Sequence, residues 1–201
     1  MFNHHPALWL SISATKFTTR AIVPARDQRR RSASLSKNLK DENIMNILTF
    51  NLLFSTLVFW IAARLYLLPK LHVLKPQVVL LPILLLHAFR HLGLMFLTPG
   101  GTYLGIPPQF SYPAAFGDLL AAMLAILAIP AVSKEKRGGR LLVWVFNVEG
   151  TLDLITALTL APLFNASAYL GPSYWIPAFW VPALLVTHYI TFIVLIKHWR
   201  P

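Results

Sequence analysis

The stretch 77–97, QVVLLPILLLHAFRHLGLMFL, constrains this chain more than any other. An apolar run of about 20 residues crosses the roughly 30 Å hydrocarbon layer of a bilayer. Lipid offers the backbone no hydrogen-bond partners, so such a run is read as a helix. Yet His87, Arg90 and His91 interrupt it. At about 100° per residue these three share one helix face. A cation at that depth is costly unless it meets a protein interior, a water-filled cavity or a partner charge. The stretch therefore calls for a polytopic membrane protein with a buried polar site.

Composition agrees. Of 201 residues, 56% are hydrophobic and only 12% charged, against about 25% charged in soluble domains. The absence of cysteine excludes disulfides, thiolate metal sites and cysteine nucleophiles. The net charge of +11 does not point to nucleic acid, because most of it lies in the first 43 residues and in short links. In a membrane protein, basic links report orientation.

Residues 1–43 differ from all that follows. They are rich in Ser, Thr and Arg, and carry a block Arg29, Arg30, Arg31. A targeting segment or a disordered basic tail on anionic lipid would fit this composition. The expectation adopted is a disordered or non-native extension, with the native chain starting at Met45. The Lys40-Asp41 codons can read AAGGA(T/C), which resembles a bacterial ribosome-binding site. Residues 44–201 then form one membrane domain.

Five spans are predicted, at about 44–68, 77–97, 112–132, 141–163 and 175–196. Pro82, Pro130, Pro177 and Pro182 lie near span ends or kink their helices. Arg64, Lys70 and Lys75 mark the link after the first span. Lys134, Lys136, Arg137 and Arg140 mark the third link, and Lys197 and Arg200 the C-terminus. The links 98–111 and 164–174 carry no charge. By the positive-inside rule the N-terminus is outside and the C-terminus inside, in a bacterial inner membrane. The 98–111 link, rich in Gly, Pro and aromatics, reads as an ordinary interfacial loop, with a cap over the outer mouth of the polar site as the alternative.

Ionisable groups recur on four spans. Asp118 shares a face with Ala114, Ala121 and Ala125, small residues that let helices approach closely. Glu149 and Asp153 are four apart on the fourth span, with Thr156 beyond them, while Asn147 points elsewhere. His188 lies near the middle of the fifth. The candidate site is therefore His87, Arg90, His91, Asp118, Asn147, Glu149, Asp153 and His188. Arg90 matches Asp118 best in depth, and Asp153 next. Two nearby carboxylates in a low dielectric do not both stay ionised without a cation, so a proton, a metal or a cationic substrate is implied.

The expected fold is an all-α five-helix transmembrane bundle with a polar core and a peripheral first span. The expected function is binding or translocation of a small polar solute or protons, with the lipid bilayer and that solute as partners. Five spans do not form two equal inverted repeats, so a transporter calls for a homodimer. No motif demands a cofactor: H-E-x-x-H and paired E-x-x-H are absent. The alternative is a membrane enzyme or redox protein holding a metal at His87, His91, Glu149, Asp153 and His188, or a haem at the histidines. A third reading is a structural accessory subunit. No Gly-rich phosphate loop or nucleophile elbow is present, and Ser55 is the only serine inside a span.

Overall fold

A computed structural model describes residues 25–136 and 138–199. Every regular element among them is helical. Five helical stretches are long and apolar enough to cross a membrane: Ile47–Lys70, Pro76–Leu97, Pro108–Ser133, Gly139–Leu163 and Gly171–His198. They match the expected spans to within a few residues.

The first helix, α1, runs Ala25–Ala62. It begins inside the basic stretch, where Arg, Lys, Gln, Glu, Ala and Leu are good helix formers. Residues 1–24 lie outside the described ones, so the expectation for that part of the extension does so too. The chain divides into two compact units, Met1–Asn38 and Leu39–Pro201, and the five spans lie in the second. Only 6% of the first span's apolar window is buried, which makes this span peripheral.

The second span changes pitch. It is α-helical over Pro76–Ala88 (α2) and winds as a 3₁₀ helix over Phe89–Leu97. Runs of 3₁₀ helix beyond about four residues are uncommon. Here the pitch decides which residues turn inward. At three residues per turn, i and i+3 eclipse, and the buried residues are Arg90, Gly93 and Phe96.

The third and fourth spans are single helices, α3 (Pro108–Ser133) and α4 (Gly139–Leu163). On α3 the small face is buried as expected, with Ala114, Ala121 and Ala125 at 2% exposure or less. It lets α3 pack closely against α4, the 3₁₀ segment and α2. The fifth span is α-helical over Val181–Ile193 (α5), between wider π turns at Ile176–Trp180 and Val194–His198. Pro177 and Pro182, which lack a backbone N–H, fall in and just after the first of these turns.

Two apolar clusters form the interior. One gathers Leu80, Leu84, Val132, Val143 and Leu195. The other gathers Phe96, Phe110, Ala115, Leu154 and Leu170. In spans two to four the buried ionisable residues fall between these clusters along the chain. The two uncharged links are joined: Tyr103 N–H donates to Tyr169 O at 2.8 Å, and Ser173 Oγ donates to Gly101 O at 2.5 Å.

A candidate charged site joining four helices

Arg90 is the centre of the buried polar residues. It is 1% exposed and comes from the 3₁₀ segment. Its Nε donates to Asp118 Oδ1 on α3 at 2.7 Å. Its Nη2 donates to Asp153 Oδ2 on α4. Its Nη1 donates to Gly150 O at 3.3 Å, also on α4, and lies 3.2 Å from His188 Nε2 on α5. The planar guanidinium fork thus reaches three helices beyond its own span, a geometry that lysine cannot reproduce. The expected Arg90–Asp118 pair is present, and Asp153 joins it.

Hydrogen bonding assigns the state of His188. Asn147 Nδ2 lies 3.4 Å from the His188 carbonyl, which can only accept, and this orients the amide. Asn147 Oδ1 then faces His188 Nδ1 at 2.8 Å, so Nδ1 carries the proton. His188 Nε2 is left as the acceptor for Arg90, which can only donate. Asn147 therefore does point elsewhere than Asp153, and its target is this histidine.

His87 lies beside it, fully buried, its ring in edge contact with His188 at 4.3 Å between centroids. Thr187 Oγ1 donates to Ala183 O at 2.8 Å. It therefore accepts from His87 Nε2–H at 2.9 Å. His87 Nδ1 is left buried without a partner among the described residues.

Three glycines make room for these groups. A Cβ on Gly150 would stand 2.7 Å from Arg90 Nη1 and 2.7 Å from His188 Cε1. On Gly93 it would collide with Asp118, and on Gly117 with the Asp153 carboxylate. Gly93 and Gly117 escaped the sequence reading. Their one signal was placement: Gly117 precedes Asp118, and Gly93 follows Arg90 by three residues.

Two of the expected site residues lie outside the hydrogen-bond network of Arg90. His91 is exposed and does not share the face of Arg90; its Nδ1 lies 2.9 Å from Ala88 O. The cause is the 3₁₀ pitch, whose roughly 120° per residue carries position 91 away from the interior. Glu149 lies half-buried in a groove with Trp144, Val145, Val148 and Leu152, and forms no ion pair among the described residues. The metal set is accordingly not assembled: among the described residues no three His, Cys, Asp or Glu side chains group to hold an ion. The contact between the His87 and His188 rings also leaves no layer for a haem between them.

Asp118 and Asp153 border a small, almost wholly apolar cavity of about 50 Å³. Its other walls are apolar, among them Phe96, Phe110, Leu154, Ala157 and Ile176. Leu170 and Pro177, near the second uncharged link, also line it.

Comparison with known proteins adds a family. No curated protein and no solved structure matches the chain. A family model, domain of unknown function DUF8737, matches residues 47–196, which take in the five spans almost entirely. With that match over most of its length, the chain belongs to the DUF8737 family.

Proposed function

We propose that this protein binds or translocates a small polar solute or protons through the buried Arg90–Asp118–Asp153 site. One observation carries the reading: two carboxylates share a single guanidinium at the edge of a cavity. One cation against two acids leaves a site that a proton or a positively charged group completes. His188, held by Asn147 as an acceptor for Arg90, lends the guanidinium a neutral partner. Loop charge orients the molecule with the N-terminus outside and the C-terminus inside. The joined uncharged links then lie on the outer side, and a bacterial inner membrane suits this arrangement.

Reconstituted vesicles loaded with a pH-sensitive dye test this reading. Proton or solute-coupled flux lost in Asp153→Asn, in protein that still purifies as a folded species, supports it. Flux unchanged in Asp153→Asn removes Asp153 from the role. A C-terminal reporter active only outside the cell overturns the orientation.

A structural accessory subunit is the second reading. The hydrogen bonds from Arg90 to α3, α4 and α5 favour it, because buried ion pairs also serve to specify packing. Under it, Asp153→Asn lowers thermal stability and the wild-type vesicles show no flux.

A further inference from the structure

Glu149 sits where lipid cannot satisfy it. It lies half-buried beside Val145, Val148 and Leu152, which are exposed. Its Oε2 is buried with no hydrogen-bond partner among the described residues. Glu149 is ten residues beyond Gly139, where α4 begins. At 1.5 Å per residue that is roughly 15 Å into a hydrocarbon layer about 30 Å thick. A carboxyl at this depth is costly against acyl chains and calls for a donor. The face around it has the spacing of a helix seam. Leu141, Val145, Val148, Leu152 and Ile155 recur at alternating steps of four and three, and all are exposed. This is the 3.5-residue period at which two helices pack side by side. The residues that α4 turns into the bundle, Val143, Phe146, Asn147, Gly150 and Leu154, lie away from this stripe.

Register names the occupant. Glu149 flanks the seam on one side and Trp144 on the other, and both line one shallow groove. Trp144 is itself half-buried, its ring against Phe192. Copies of one chain enter a membrane in one orientation, so their α4 helices run parallel. In a parallel pair, a residue flanking the seam of one helix meets the residue five positions on that flanks the seam of the other. Trp144 precedes Glu149 by five. An indole N–H only donates, and a carboxyl oxygen accepts. A two-fold axis forms that contact twice. The face is therefore complementary to itself, whereas acyl chains offer Glu149 no donor. We infer that the protein forms a parallel homodimer through the lipid-facing side of α4, with each Glu149 accepting a hydrogen bond from Trp144 of the other copy. This interface goes beyond the solute or proton reading and does not depend on it.

The chain has no cysteine, so a single introduced one reports contact directly. Val148→Cys in the full chain, oxidised in membranes with copper phenanthroline, is expected to form a disulfide-linked dimer, which requires Cα atoms within about 7 Å. Leu120→Cys, similarly exposed on α3, controls for random collision and is expected to stay monomeric. Adding Glu149→Leu or Trp144→Phe to Val148→Cys is expected to lower cross-linking about tenfold, as loss of hydrogen bonds between helices in lipid implies. Glu149→Gln, whose amide oxygen still accepts, is expected to preserve it. Each variant is compared at equal amounts of protein that elutes as a folded species. Failure of Val148→Cys to cross-link, or equal cross-linking of Leu120→Cys, overturns the inference. So does cross-linking that Glu149→Leu and Trp144→Phe leave unchanged, or a linked species whose mass is not twice that of the chain. A cross-linked dimer in vesicles without flux upholds the interface while the solute reading fails, and flux without cross-linking does the reverse.

Discussion

A Cβ added to Gly93 would stand 2.7 Å from the Cβ of Asp118, nearer than side-chain carbons approach. The 3₁₀ segment and α3 therefore meet at backbone distance just where Arg90 reaches Asp118. Gly93→Ala is expected to force them apart and to cost about 1–3 kcal/mol, the usual range for overpacking. Gly138→Ala is the control, because nothing lies within 4 Å of a Cβ there. Thermal unfolding followed by size-exclusion chromatography measures both; equal midpoints would contradict the packing described.

Arg90 should be the least replaceable residue of the site. Arg90→Met strands two buried carboxylates, and loss of one partner of a buried pair costs roughly 3–5 kcal/mol. The triple variant Arg90→Met, Asp118→Asn, Asp153→Asn removes the charges together and is expected to be more stable than Arg90→Met alone. The comparison is read from unfolding midpoints in one detergent. A triple variant less stable than the single one would argue against charge stranding as the cause.

His188 should show one tautomer. Its Nδ1 faces Asn147 Oδ1 at 2.8 Å, so nitrogen NMR of the ring is expected to find the proton on Nδ1 and a bare, hydrogen-bonded Nε2. Asn147→Leu should scramble that signature and cost about 1–3 kcal/mol, the range for a buried polar group left unpaired. A protonated Nε2 in the wild type would reverse the assignment.

The two histidines of the second span should behave oppositely. His91 is exposed, and His91→Ala is expected to change stability by no more than about 0.5 kcal/mol. His87 is fully buried against Phe146 and His188, and His87→Ala is expected to cost on the order of 3 kcal/mol, as for other large rings truncated in a core. Similar unfolding midpoints for the two variants would restore the shared face that an ideal α-helix predicts.

Sequence alone determined the helical class, the five spans and their approximate ends, and the polar residues each span carries. It also identified the small face on α3 that brings Asp118 inward. These features follow from properties read along one dimension: apolar length against bilayer thickness, and periodicity within one helix. Tertiary structure decided the rest. It brought both Asp118 and Asp153 to Arg90, turned Asn147 to His188, set Glu149 in a surface groove and opened the cavity. The pitch of the second span decided His91. A change from about 100° to about 120° per residue is invisible in hydropathy, yet within one turn it moves a side chain from interior to surface. Pairing depends on how each helix is rotated and how closely it approaches its neighbours. Gly93, Gly117 and Gly150 set those distances only where another helix supplies the atom that a Cβ would strike.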